Sequence, residues 1–175
     1  IIPAGFRGTC YYYRKAYYRS LLASPAACAV STPFGDYNGE RRLFLFQNLH
    51  RFFMYLALAF LFVLWHDVWK ALWFENETGG TQFGIGVGTL LLFANTTFLS
   101  RYTLSCHSFR HLVGGGGSGF SECPTGRARH GAWKGVSALN AHHQGWAWVS
   151  LFGVGFADVY VRLCSMGLWT DLRLL

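Results

Sequence analysis

The sequence predicts an all-α fold, a polytopic bundle of transmembrane helices, and three observations lead to it. First, 52% of the 175 residues are hydrophobic and 18% are aromatic, whereas only 13% are charged, compared with about 25% in an ordinary soluble domain. Second, three apolar segments each exceed the roughly 20 residues of helix that cross a bilayer. Third, basic residues flank these segments, which is typical of membrane topology, so no nucleic-acid partner is expected.

The first segment, residues 1–42, is predicted to lie at the membrane surface. Its tyrosines alternate with arginine and lysine, and amphipathic rings and long cations favour the headgroup zone. Prolines and glycines then predict a loop that returns Cys28 to the same surface. Because the sequence begins at Ile1 without a Met or a signal peptide, we expect it to be the later part of a longer protein.

Three transmembrane helices are predicted after this surface segment. The second contains Gly84, Gly86 and Gly88, which would permit close helix packing, and it ends in a Cys/His motif. The third is interrupted by a polar patch, Asn140–Gln144, which must face protein, cofactor or water. The predicted first helix, second helix, Gly-rich loop and third helix cover residues 43–74, 83–111, 112–131 and 132–166.

Charge is distributed unevenly between the two ends of these predicted helices. Most arginines and lysines fall at one end, whereas the other end has Lys70, Arg162 and Arg173 beside several acidic residues. The positive-inside rule makes the basic end cytoplasmic. The same end would collect most of the metal-ligating residue types, namely Cys10, Cys28, His50, Cys106, His107, His111, Cys123, His142 and His143.

The motif at Arg101–His111 predicts a metal site. His107 and His111 are four residues apart, so on one helix both imidazoles could reach a single ion. Five cysteines without secretory features favour metal ligation or burial over disulfides. Two thiolates with two imidazoles are the ligand set of a Rieske-type [2Fe-2S] cluster. The predicted ligands are Cys10, Cys28, Cys106, His107 and His111, with Cys123 as a weaker thiol.

Several other interpretations of these residues stay open. His107 and His111 could be an ordinary solvated pair at the membrane surface. His50 and His143, one from each of two helices, could hold a haem b or simply pack between helices. The histidine pairs also permit a di-iron membrane hydroxylase or desaturase, and a purely structural anchor without a redox centre is a further alternative.

A quinone site is predicted near the same end. A quinone needs an apolar slot and a few donors for its two carbonyls. Residues of these types are Tyr13, Arg14, Tyr17, Arg19, His50, Arg51 and Trp146. The same residues would also suit a plain aromatic and basic belt.

Five motifs together resemble the membrane-anchor, SdhC-type subunit of the mycobacterial Sdh1-type succinate dehydrogenases of respiratory complex II. They extend over nearly the whole chain and cover Phe6–Arg19, Pro25–Val30, Gln47–Arg51, Cys106–His111 and Leu139–His143. The family's anchor has five helices, so the resemblance implies that this chain is its C-terminal part.

The resemblance also implies a function. Such a subunit binds a flavoprotein and an iron-sulfur protein in the bacterial inner membrane and passes electrons from succinate to menaquinone or ubiquinone, within the tricarboxylic acid cycle and the respiratory chain. It implies a Rieske-type cluster in place of haem. From the residues themselves we expect His107 and His111 as imidazole ligands and two of Cys10, Cys28 and Cys106 as thiolates. His50 and His143 are the substitute ligands if the helix unwinds at Cys106.

Overall fold

The computed structural model describes residues 1–14, 16, 44–75, 79–114 and 125–174, with side chains of the first long helix described from residue 48. The named helices are α1 (Ile2–Thr9), α2 (Phe44–Lys70), α3 (Val87–Leu104), α4 (His107–Gly114), α5 (Gly126–Ala141) and α6 (His143–Ser165). Strands β1 (Trp73–Glu75) and β2 (Thr81–Phe83) form an antiparallel hairpin. The predicted all-α class is confirmed, and the small hairpin adds to it.

The chain divides into two compact units, Ile1–Ala57 and Leu58–Leu175. In the first unit, α1 starts with a proline in its first turn and ends at Cys10, where the backbone becomes extended. The Gly5 backbone lies directly against the ring of Phe53. Phe6 and Met54 are buried here. A short apolar helix is therefore packed through its glycine onto the long helix α2.

In the second unit, α3 and α6 pack along each other through small and hydroxyl side chains. The buried residues of α6 follow a helical spacing of three, four and seven, and they are His143, Ala147, Ser150, Ala157 and Tyr160. Thr89, Thr96 and Thr103 of α3 are buried at intervals of seven. Small side chains let two backbones approach closely, which is the usual way that helices associate in a membrane.

Two described helices are long and apolar enough to cross a bilayer, in the ranges Asn48–Lys70 and His143–Ser165. Many of their large apolar side chains face outward; Phe62 and Phe152, for example, are 78% and 71% exposed. In a protein surrounded by lipid, that exposure does not carry the free-energy cost it would have in water.

The second and third predicted helices differ from the observed ones, because each is broken. The helix predicted over residues 83–111 ends at Leu104 and resumes at His107. The helix predicted over residues 132–166 is divided at His142, and the part before it begins earlier, at Gly126. A side chain accounts for the first break: the Ser105 hydroxyl bonds the Tyr102 carbonyl and His143 of α6, which offers the backbone an alternative to a continuing helix.

A pair of glycines in α1 tests the packing of the first unit. Replacing Gly5 by Ala places a methyl group into the Phe53 ring, and overpacking of this kind costs about 1–3 kcal/mol. Replacing Gly8, where a Cβ meets nothing within 4 Å, is the matched control. Thermal unfolding of the purified protein should show a lower Tm for Gly5→Ala and an unchanged or higher Tm for Gly8→Ala, and equal values would contradict this packing.

Candidate functional site

A buried polar cluster lies where α3 ends and α6 begins. The Ser105 hydroxyl is 2.6 Å from Nδ1 of His143, and Nδ2 of Asn140 donates to the Ser105 carbonyl at 2.7 Å. The ring of Tyr102 stacks on His143 with centroids 5.1 Å apart. Ser105 is fully buried and His143 is 3% exposed. One serine thus connects both helix breaks to a buried histidine.

The single hydroxyl proton of Ser105 has two acceptors within reach. The hydroxyl oxygen lies 3.0 Å from the Tyr102 carbonyl oxygen and 2.6 Å from Nδ1 of His143. If the proton goes to the carbonyl, the Nδ1–H of His143 donates to the serine; if it goes to Nδ1, the ring proton of His143 is on Nε2. In either tautomer the bond to Ser105 fixes the orientation of the His143 ring.

His107 and His111 lie close together on α4, at the same end of α3. Their Nε2 atoms are 3.0 Å apart and their rings meet edge to face. Both side chains are exposed. Partial desolvation of the His107 ring nevertheless lowers its pKa below the ordinary value, and the nearby His111 and Arg110 lower it further. The His107 ring is therefore held neutral at physiological pH, the form in which histidine binds metals.

Cations stack on indole rings around this end of the second unit. The Arg101 guanidinium lies 4.8 Å from the ring centroid of Trp146, and Arg110 lies at the same distance from Trp133. Nε of Arg110 also donates to the Ser137 hydroxyl at 2.9 Å, which fixes α4 to α5. The indole Nε1–H of Trp146 is buried without a hydrogen-bond partner. A buried donor of this kind is available to a ligand carbonyl.

The first unit holds a second buried histidine in a similar environment. Thr9 Oγ1 donates to the Gly5 carbonyl at 2.7 Å and lies 2.9 Å from Nδ1 of His50. The direction of the Thr9–His50 hydrogen bond depends on the tautomer of His50. The Phe6 ring stacks on His50 with centroids 4.7 Å apart. His50, like His143, is therefore oriented by a hydroxyl at its Nδ1.

The other predicted residues of the first unit lie close to Thr9 in sequence. Cys10 is 2% exposed and Arg14 is 4% exposed, and Nε of Arg14 is buried without a hydrogen-bond partner. Arg7 donates to the Tyr13 hydroxyl. Burial raises the pKa of Tyr13, with Arg7 opposing the shift. A buried guanidinium with an unsatisfied N–H is a second candidate donor for an anionic or carbonyl ligand.

The described residues bring together part of the predicted metal site. Cys106 is buried beside His107, but Cys10 belongs to the other unit. Within the part of the chain that the structure describes, no group of three or more His, Cys, Asp or Glu side chains could hold a metal ion. Of the predicted quinone residues, Arg51 is exposed at the surface of α2. Four predicted residues lie outside the described part, namely Tyr17, Arg19, Cys28 and Cys123.

Sequence reasoning missed the hydroxyls that bind the two buried histidines. Ser105 and Thr9 each directly precede a cysteine, Cys106 or Cys10, that attracted attention as a ligand. A serine or threonine at the end of an apolar helix is a common bonding partner for nearby backbone. Their bonds to histidines 38 and 41 residues away left no signal in local spacing.

These features define a class, a helical membrane protein with histidines buried and hydrogen-bonded inside its units. The family model of the actinobacterial succinate dehydrogenase subunit SdhC matches residues 1–167. The chain belongs to this family, which confirms the resemblance seen in the sequence.

A solved structure agrees with the family assignment. The chain is similar to a chain in the structure described as the Mycobacterium smegmatis Sdh1 complex in the apo form, with 43% sequence identity and a TM-score of 0.85. The similarity covers 99% of this chain and 63% of that one, so this chain spans less than two thirds of the length of its structural relative. A comparison with curated proteins found no match.

The Ser105 network can be tested by removing one hydroxyl. Ser105→Ala removes the hydrogen-bond partner of the buried Nδ1 of His143. Leaving such a group unsatisfied lowers the free energy of unfolding by about 1–3 kcal/mol. We expect a lower Tm in detergent than for the parent chain. Ser108→Ala, which removes a half-buried hydroxyl on α4 outside this network, is the control and should leave Tm unchanged. Equal Tm values for both variants would show that the Ser105–His143 bond contributes little.

Proposed function

We propose that the chain is the membrane-anchor subunit of a succinate:quinone oxidoreductase, passing electrons from an iron-sulfur subunit to a membrane quinone. The family match over residues 1–167 is the observation that carries this proposal. Two helices able to cross a bilayer and the 43% identity to a chain of the Sdh1 complex support it. These observations favour a respiratory anchor over a membrane hydroxylase.

The proposal includes the assembly and its orientation. The chain would lie in the bacterial inner membrane and bind a flavoprotein subunit and an iron-sulfur subunit at its basic, cytoplasmic end. The polar cluster at the end of α3 would then face the source of electrons. Basic side chains at that end, such as Arg127 and Lys134, are exposed on α5. They would attract an acidic partner surface.

We propose that quinone binds where Arg101 stacks on Trp146. The buried indole N–H of Trp146 has no hydrogen-bond partner, and a quinone carbonyl is an acceptor that would satisfy it. The stacked Arg101 adds a positive charge, which favours electron density on the quinone oxygen. Arg14 and Tyr13, in the first unit, remain predicted quinone residues.

Steady-state kinetics test the Trp146 proposal. Trp146→Phe keeps the aromatic ring and removes the donor, so KM for quinone should rise about 2- to 10-fold, the equivalent of one hydrogen bond. Reduction of a soluble dye by succinate, which bypasses the membrane subunit, should be unchanged. Trp148→Phe on the same helix, whose ring is 41% exposed, is the control. Unchanged quinone KM in Trp146→Phe would remove this residue from the site.

A Rieske-type [2Fe-2S] cluster is a further, separate proposal. Nε2 of His107 and Nε2 of His111 lie 3.0 Å apart, so both imidazoles could bind one metal ion. The described residues supply this pair and no third ligand beside it. The thiolates would have to come from Cys28 or Cys123, outside the described part, or from a rearranged Cys10 or Cys106.

A haem b is the second candidate cofactor, and one observation favours it. Nδ1 of His50 and Nδ1 of His143 are each within hydrogen-bond distance of a hydroxyl. Histidines that bind metal through Nε2 usually donate their other ring N–H to a fixed acceptor in this way. Each histidine has a hydroxyl in this position within its own unit.

Spectroscopy of the purified complex separates the two cofactors. A cluster on His107 and His111 predicts an EPR signal, beyond those of the iron-sulfur subunit, that is lost in a His107→Ala/His111→Ala variant and kept in a His130→Ala/His142→Ala control. A haem predicts a sharp absorption band on reduction that His143→Ala abolishes. If the double variant leaves every signal unchanged, His107 and His111 are not ligands.

A further inference from the structure

After α6 the chain makes a tight turn in which backbone N–H groups bond the last carbonyls of the helix. Gly167 has φ +72°, and its N–H bonds the Cys164 carbonyl at 3.0 Å, while the N–H of Leu168 bonds the Leu163 carbonyl at 3.0 Å. This is a Schellman motif, in which glycine takes the left-handed conformation without a Cβ clash. The helix end therefore satisfies these two carbonyls without water.

Residues 166–174, here named the C-terminal strap, then return to the start of α3. The N–H of Val87 donates to the Leu172 carbonyl at 3.0 Å, and the N–H of Leu174 donates to the Ile85 carbonyl at 2.7 Å. These bonds form a short antiparallel bridge. Two further backbone hydrogen bonds of the strap are thus made within the protein. A segment that borders hydrocarbon needs such pairing, because lipid tails offer no hydrogen-bond partners.

A carboxylate fastens the strap to two helices. Asp171 Oδ1 accepts the Gly88 N–H at 2.8 Å and the Tyr160 O–H at 2.8 Å. The Gly88 N–H belongs to the first turn of α3, where the helix dipole favours a negative charge. Gly88 also gives the carboxylate room, because a Cβ there would lie 2.9 Å from Asp171 Oδ2. Asp171 thus joins the strap to the start of α3 and to α6, although the residue stays exposed.

The strap's apolar side chains are exposed. Five of them are between 49% and 69% exposed, namely Met166, Leu168, Trp169, Leu172 and Leu174. Beside the strap, Trp73 and Phe83 of the hairpin and Trp69 near the end of α2 are exposed as well, and Arg173 is stacked 4.6 Å from the ring centroid of Phe74. Trp69, Trp73 and Trp169 are three of the chain's seven tryptophans.

We propose that the strap and the hairpin form an interfacial anchor that lies in the boundary between lipid headgroups and acyl chains. The strap follows directly after the apolar helix His143–Ser165, and the hairpin follows Lys70, the end of the other. Its surface thus continues the lipid-facing surface of both helices. Tryptophan is enriched at this depth of a bilayer, and paired backbone groups beside exposed apolar side chains suit a lipid rather than an aqueous surface.

Collision rates of nitroxide labels with oxygen and with a water-soluble reagent show whether the strap lies in lipid or in water. The complex is placed in phosphatidylcholine nanodiscs with Leu172→Cys or, as a second position, Leu168→Cys labelled, and the unmutated complex gives the background from native cysteines. Thr81→Cys, at the turn end of the hairpin opposite Glu75, is the control. We expect collisions of the strap labels with oxygen to exceed those with a water-soluble nickel chelate, and the reverse order at Thr81→Cys.

Each other outcome would overturn the lipid assignment. High nickel collisions at both strap positions would place the strap in water. Low collisions with both reagents would mean that a partner subunit covers it, and dipolar broadening between labels would indicate a second copy of this chain.

The two hydrogen bonds of Asp171, to Gly88 and Tyr160, can be tested separately. Asp171→Asn, combined with the Leu172→Cys label, should weaken the two bonds to Asp171 and increase the mobility of the label. Asp158→Asn, which loses only the exposed pair with Arg162, should leave label mobility unchanged. Equal spectra for the two variants would show that Asp171 does not hold the strap.

Discussion

The requirement that buried polar groups find partners inside the protein governs the end of the second unit. Within an apolar bundle a lone histidine or helix carbonyl is costly. Ser105 removes this cost at several points, because its hydroxyl bonds Tyr102 and His143 and its carbonyl accepts from Asn140. These bonds form directly after the end of α3 at Leu104. The next residue after Ser105 is the buried Cys106.

The first unit solves the same problem with the same chemistry. A hydroxyl in the last turn of α1 donates to a helix carbonyl and is hydrogen-bonded to a histidine, and an aromatic ring stacks on that histidine. His50 and His143 thereby have their rings fixed in the same way, by a hydroxyl at Nδ1 and an aromatic ring on one face. Fixed side-chain orientation of this kind is a feature of binding sites.

The sequence revealed the architecture better than the site. Long apolar segments predicted the helices, and the i, i+4 spacing placed His107 and His111 on one helix, α4, as the structure has them. The interruption of the third predicted helix was expected at the polar patch Asn140–Gln144, which includes His142. The end of α3 before Ser105 was not predicted, because the Ser105–His143 bond joins residues far apart in sequence. The same limit applies to Thr9. Predictions on Cys28 and Tyr17 fall outside the described residues and remain predictions.

Purification of the tagged chain from native membranes tests the central claim most directly. A membrane anchor of a succinate:quinone oxidoreductase should elute with a flavoprotein and an iron-sulfur protein, carry flavin and iron, and reduce added quinone when succinate is supplied. Elution of the intact, folded chain without flavin or iron, and without succinate-dependent quinone reduction in any fraction, would contradict the account.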